Sequence, residues 1–293
     1  MKRILITGAN SYIGTSFEKY LKENYPDQYQ VDTVDMIDGS WREKSFAGYD
    51  SVYHVAGIAH SDNGKISEEK KKLYYAVNTE LTVETAKKAK ADGVEQFIFM
   101  SSAIVYGDSA PIGKKKVITK DTPVSPANCY GDSKVQAENG IRPLEDEKFK
   151  VVILRPPMIY GNGSKGNYPT LSKFAQKLPV FPYIQNERSM LYIENLTEFV
   201  RLMIENEETG TFWPQNKEYS STAEIVKLIA DARDRKIRLV RGFTWAVKFL
   251  GLFTGMVNKA FGNLTYSFEM SEYKGANYQL VTLADSIYRT ERG

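Results

Sequence analysis

The sequence predicts an α/β fold: a doubly wound parallel sheet with a smaller C-terminal lobe. Three observations predict it. The chain opens strand, glycine turn, helix, strand; short apolar runs then alternate with longer helical patterns; and beyond about Tyr160 glycine and proline crowd the sequence. At 293 residues, 42% hydrophobic and 26% charged, the composition is that of a globular chain with one large domain or two modest ones. The net charge of +3 gives no basic footprint for nucleic acid or for a membrane surface, and the run Lys114-Lys115-Lys116 reads as a solvated loop. A single cysteine excludes a disulfide framework and fits a reducing, cytoplasmic setting. Two histidines and one cysteine are too few for a structural zinc site. The apolar N-terminal run is too short for a signal peptide, and no stretch of about 18 uncharged apolar residues marks a transmembrane helix.

In chain order, Arg3 to Thr7 is a buried strand ending at Gly8. Ile13, Phe17 and Leu21 then recur every four residues, the buried stripe of a helix. Val31 to Asp35 is the second strand of this βαβ unit, which calls for a right-handed crossover. Ser51 to Ala56 is strand-like, Ser67 to Ala91 helical, and Gln96 to Ser101 a further buried strand. Tyr130 to Ile141 reads as a helix and Val151 to Leu154 as a strand. Ile193 to Glu205 and Thr222 to Arg233 supply two later helices. A sheet of this kind binds ligands beyond the carboxyl ends of its strands.

Gly8-Ala9-Asn10-Ser11-Tyr12-Ile13-Gly14 lies between a strand and a helix, the setting of a dinucleotide-binding turn. Gly8 allows the tight turn and Gly14 the close packing of helix on strand. Amides at the helix start then face a pyrophosphate. Ser11 stands where that turn commonly has its middle glycine, and its hydroxyl is placed to donate to phosphate. Asp35, at the end of the second strand, can accept both ribose hydroxyls and repels a 2′-phosphate, so NAD is expected over NADP.

Tyr130 and Lys134 stand four residues apart, on one helix face. A phenol with an ordinary pKa of about 10 is a poor base near neutrality, and a cation held beside it lowers that value. Ser101-Ser102 follows a buried strand, so Ser102 is placed to hydrogen-bond a substrate oxygen while Tyr130 exchanges its proton. Cys129 has no histidine in its motif and is not read as a nucleophile; His54 and His60 are read as packing or loop residues.

These motifs, in this order, resemble the extended short-chain dehydrogenase/reductases, in the nucleotide-sugar epimerase and dehydratase branch. The resemblance spans about residues 1 to 240. It implies a Rossmann-type NAD-binding domain over 1–160 and a lobe over 161–293 that mainly binds nucleotide-sugar, with room for strands or helices returning to the main sheet. It implies cofactor contacts at Gly8, Asn10, Ser11, Tyr12, Ile13, Gly14, Asp35, Ala56, Gly57, Asn78, Ser101, Tyr130, Lys134 and Pro157. Ser102, which precedes Ala-x-Val-Tyr-Gly, becomes the catalytic hydroxyl beside Tyr130 and Lys134. Ser102, Tyr106, Asn167 and Arg188 become substrate contacts, with Arg188 gripping a diphosphate, that of a UDP-linked sugar in this branch's usual substrates. The implied reaction is UDP-hexose 4-epimerisation by transient oxidation at C4. A 4-keto reductase of a UDP- or dTDP-deoxy-sugar uses the same triad, and a non-catalytic NAD-sensing protein shares the fold. Ala103-Ile104 stands where the branch's dehydratases carry Asp-Glu, which argues against dehydration. A homodimer is the family's common assembly. The aromatic stretch Phe243 to Phe261 matches no motif; a packing helix pair, a dimer contact and a membrane-apposed patch are all open readings of it.

Overall fold

The computed structural model describes residues 1–59, 66–245, 247, 249, 257 and 260–293. They form two compact units that interleave along the chain. One comprises Met1–Gly107, Pro123–Pro156 and Leu196–Pro214; the other comprises Asp108–Thr122, Pro157–Asn195 and Gln215–Gly293.

The first unit is built on β1 (Lys2–Thr7), β2 (Tyr29–Val34), β3 (Ser51–His54), β4 (Gln96–Met100), β6 (Lys150–Leu154) and β10 (Gly210–Phe212). They pair in the order β10-β6-β4-β3-β1-β2, and every pair is parallel. The sequence therefore predicts the fold class correctly, including the βαβ opening through α1 (Tyr12–Asn24). Residues of both parities are buried along β1, β3, β4 and β6, as a sheet covered on both faces requires. Leu5, Val52, Phe97, Phe99, Val151 and Ile153 share one core cluster with Ala86, Ala89, Ala137 and Ile141. On the other side Phe17 of α1 meets Tyr53 edge-on at 5.2 Å. The chain order turns about β1, between β2 and β3, which is the switch point of a doubly wound sheet.

The helix expected over 67–91 is interrupted. A π-turn at Ala76–Glu80 separates α2 (Glu68–Tyr75) from α3 (Leu81–Ala91). Such turns collect at functional sites because they re-aim one side chain. Here the residue re-aimed is Asn78. The helix α4 (Cys129–Ile141) follows, N-capped by Asn128, whose Oδ1 accepts the Gly131 amide at 2.9 Å.

In the second unit β5 (Val117–Ile118) pairs with β12 (Thr265–Tyr266), β7 (Met158–Tyr160) with β9 (Met190–Tyr192), and β8 (Val180–Pro182) with β11 (Arg238–Val240). The helix α5 (Tyr168–Lys177) and the C-terminal helix Leu283–Arg292 both pack on α7 (Thr222–Ala232). The helix α6 (Ile193–Glu205) belongs to the first unit from Leu196 onward. Of the stretch from Phe243 to Phe261, residues 246, 248, 250–256, 258 and 259 lie outside the described residues, as does His60. Among the described residues no helix is long and apolar enough to cross a membrane, and no cluster of His, Cys, Asp or Glu could hold a metal ion.

Candidate active site

The glycine turn closes β1 against its neighbours. Gly8 has φ +90, and a Cβ there would lie 2.9 Å from the Ala56 Cα, so only glycine fits. The amides of Gly8 and Ala9 both donate to the Val34 carbonyl, at 2.9 and 3.1 Å. Asn10 carries φ 63, a left-handed conformation that asparagine tolerates. Ser11 is the N-cap of α1: its Oγ accepts the Gly14 amide at 3.1 Å. The expected phosphate donor thus serves first as the helix cap, because its carbon chain places the oxygen back over the first turn. Tyr12 and Ile13 open that turn, half-buried. Asp35 lies exposed one residue beyond β2, its Oδ1 accepting the Ile37 amide at 2.8 Å.

Ala56 is buried, while Gly57 is exposed; a Cβ on Gly57 would stand 3.0 Å from the Asn78 Oδ1 and 3.3 Å from the Lys134 Nζ. The bare glycine leaves the approach to the lysine open. Asn78 is fully buried. Its Oδ1 accepts the Ile58 amide at 2.9 Å, and its Nδ2 donates to the Ile58 carbonyl at 3.1 Å and the Ser133 Oγ at 3.2 Å. Its amide is committed to protein groups, so it holds the loop after β3 against α4.

Ser102 caps the short 3-10 turn Ala103–Tyr106 and hydrogen-bonds the Tyr130 phenol. The two elements come this close because residue 131 is glycine: a Cβ there would lie 2.9 Å from the Ile104 carbonyl oxygen. Tyr130 sits in the first turn of α4, where the helix dipole favours an anion. Lys134, 6% exposed, follows one turn later; its Nζ donates to the Met100 carbonyl at 2.9 Å and lies 4.7 Å above the Phe99 ring.

The electrostatics of the pair differ from the expectation. Burial raises the Tyr130 phenol to about 12, against a lowering by the Ser102 hydrogen bond, and nearby Tyr74 raises it further. Burial lowers Lys134 to about 8, partly offset by Glu138. The expected lowering of the phenol by its lysine is absent, because the ammonium is held on a backbone carbonyl and desolvation dominates.

Two further expected contact residues also take part in a hydrogen-bond network. Ser101 was expected beside the cofactor, yet its buried hydroxyl donates to Glu138 Oε1 at 2.6 Å. Glu138 in turn binds Arg155 through Nε at 3.0 Å and Nη2 at 2.5 Å. Tyr106 was expected to touch substrate; its buried phenol oxygen accepts from Arg155 Nη1 and Trp213 Nε1, each at 2.7 Å. The sequence reading passed over Glu138, Arg155 and Trp213 as site-supporting groups. A signal existed for one of them: Glu138 is four residues beyond Lys134, on the same helix face as the pair. His54, expected to pack, bridges Thr7 at 2.7 Å and Thr82 at 3.0 Å, and burial pushes it down to about 3.

Pro157, Asn167 and Arg188 belong to the second unit. Pro157 is buried; Asn167 is exposed and its carbonyl accepts the amides of Thr170 and Leu171 at the start of α5. The Arg188 backbone bridges Ser220 and Leu264, its Nη1 donates to the Ala260 carbonyl at 3.0 Å, and burial lowers its guanidinium to about 10.

A parallel sheet with a tight glycine turn, a capped helix N-terminus, an exposed acid after β2 and a Ser–Tyr–Lys set defines a dinucleotide-dependent enzyme of the short-chain dehydrogenase/reductase type. The chain belongs to the NAD-dependent epimerase/dehydratase family, whose profile matches residues 4–213. It is 32% identical over 274 residues to a UDP-glucose 4-epimerase of Vibrio cholerae, covering 87% of this chain and 83% of that protein. It is 29% identical over 225 residues to an N-acetyl-glucosaminyl-diphospho-undecaprenol 4-epimerase of Escherichia coli O157:H7, covering 71% and 64%. Among solved structures, the NAD complex of a UDP-glucuronic acid 4-epimerase from Bacillus cereus superposes with a TM-score of 0.72 at 18% identity, over 99% of this chain and 97% of that one. The residues fit the family's cofactor: the Gly8 cradle that a Cβ would fill, the open end of α1 and the exposed Asp35 suit the pyrophosphate and adenosine ribose of NAD.

Proposed function

We propose that this chain is an NAD-dependent 4-epimerase of a UDP-linked hexose. The observation that carries the reading is the Ser102–Tyr130 hydrogen bond at the N-terminus of α4, with the unpaired-by-carboxylate Lys134 one turn on. Bound NAD supplies the acceptor, and afterwards the donor, of the C4 hydrogen with its electron pair. Ser102 donates a hydrogen bond to the C4 oxygen, orienting it toward Tyr130. Tyr130, as phenolate, takes the proton of the C4 hydroxyl and returns it after the sugar has turned. The start of α4 and the Ser102 hydrogen bond stabilise that phenolate, and Lys134 receives the nicotinamide ribose. Asp35 receives the adenosine ribose, and Arg188 of the second unit takes the diphosphate of the substrate as a planar, bidentate donor. Similarity to a 4-epimerase over most of both chains supports the reaction class.

The test is an NMR assay with UDP-glucose and UDP-N-acetylglucosamine and catalytic NAD. Conversion to the galacto epimer without net NADH is expected. Failure to convert, together with stoichiometric oxidation of NAD(P)H by a 4-keto-6-deoxy sugar nucleotide, replaces the reading with that of a 4-keto reductase.

A further inference from the structure

The near-neutral whole chain conceals a local separation of charge. Between Asp234 and Glu269 the sequence contains no acid, whereas Arg235, Lys236, Arg238, Arg241, Lys248 and Lys259 fall inside the interval. The same interval holds three exposed aromatic side chains: Phe243 at 52%, Trp245 at 74% and Phe249 at 58%. Val247 is buried and its amide donates to the Phe243 carbonyl at 3.0 Å, so this turn is anchored through Val247 while its aromatic residues face outward.

The neighbouring ribbon continues the pattern. Val180 of β8 pairs in register with Arg238 of β11, and both are exposed. Beyond them the Tyr183 amide donates to the Val240 carbonyl at 2.8 Å, and the Arg241 guanidinium lies 5.0 Å above the exposed Tyr183 ring. Aromatic and aliphatic groups are thus interleaved with cations in an interval whose sequence carries no carboxylate.

That composition selects one kind of surface. Tryptophan and phenylalanine prefer the boundary between headgroups and acyl chains, and arginine side chains reach from there to phosphate. A second copy of the chain fits poorly: a two-fold contact sets each patch against itself, bringing cations onto cations. We propose that residues 235–245, with the β8–β11 ribbon, dock on an anionic lipid bilayer, lying at its surface rather than crossing it. Phe243 and Trp245 seat at the acyl boundary, and Arg238 and Arg241 engage lipid phosphates.

Vesicle flotation of the full chain tests this, using phosphatidylcholine vesicles with and without one third phosphatidylglycerol. The chain is expected to float with the anionic vesicles only, and less at high salt, where headgroup attraction is screened. At about 1 kcal/mol per removed charge, the R238A/R241A variant loses roughly thirtyfold in partitioning. Wild-type emission should shift to the blue on binding, and W245F should abolish the shift, because Trp41 is already fully buried and the half-buried Trp213 is held in the first unit by its Nε1 bond to Tyr106. Unchanged thermal melting of both variants confirms that they fold. Absence of flotation, or equal flotation with neutral vesicles, overturns the proposal. So does a dimer in solution that W245E converts to monomer without any vesicle binding.

Discussion

The two halves of α4 treat a buried cation in opposite ways. In its N-terminal half Lys134 is buried against a ring and a carbonyl, and burial lowers it to about 8. Further along, Glu138 meets Arg155 in a two-pronged pair, and the carboxylate outweighs desolvation so that the guanidinium rises above its usual range. A cation paired with a carboxylate is a fixture, its field cancelled at short range. A cation left on a carbonyl keeps its field for whatever is placed beside it. The difference separates the working end of the helix from the end that holds the strand termini together.

Breaking the working end has the largest effect. Tyr130→Phe is expected to cost about 10² to 10⁴ in turnover with NAD affinity retained, since it removes one positioned proton carrier; turnover near wild type, measured alongside cofactor titration, would sink the proton-carrier role. At the fixed end the damage is to stability. Glu138→Leu strands Arg155 and is expected to cost about 3–5 kcal/mol in urea denaturation, much of which E138L/R155M restores. If the double variant is no more stable than the single one, the pair is not the fixture described. Tyr106→Phe leaves Arg155 Nη1 and Trp213 Nε1 without their shared acceptor. Its cost of about 1–3 kcal/mol should appear in the same assay, with substrate KM unchanged; a raised KM at full stability would return Tyr106 to the substrate.

The smallest effect sharpens the contrast through pH. Lys134 has a folded-state value of about 8 against an ordinary 10.5, so between these values the unfolded chain binds more protons than the native one. Its contribution to stability therefore rises with pH across that window and does not change below it. Lys134→Met should flatten the slope of unfolding free energy from pH 8 to 10 relative to wild type; identical slopes would show that the lysine is not depressed.

Much of the first unit was legible because its signals are local. The strand-turn-helix at Gly8 to Gly14 and the four-residue spacing of Tyr130 and Lys134 are short-range patterns, and each maps directly onto an element. Less was readable where the reason lies across the sheet. The π-turn that aims Asn78 leaves no periodic trace, and β10 is three residues whose identity as a strand comes from pairing with β6. Arg155 follows directly on the expected strand Val151 to Leu154, yet its partner Glu138 was identifiable only by continuing the Tyr130–Lys134 face another turn. The helix Leu283–Arg292 escaped notice because only Leu283, Ser286 and Ile287 of its ten residues are buried.

The interleaving of the two units bears on the order in which a ribosome can complete them. When residue 156 has emerged, β1 to β6 are available, but the Gln96 side chain on β4 still lacks the Met203 and Glu208 carbonyls to which it donates at 2.8 and 3.0 Å. Tyr106 likewise lacks Trp213. All three partners arrive only after 157–195 of the other unit have been synthesised. The nascent nucleotide-binding half must therefore wait, incomplete at one sheet edge, through a stretch of translation that builds something else.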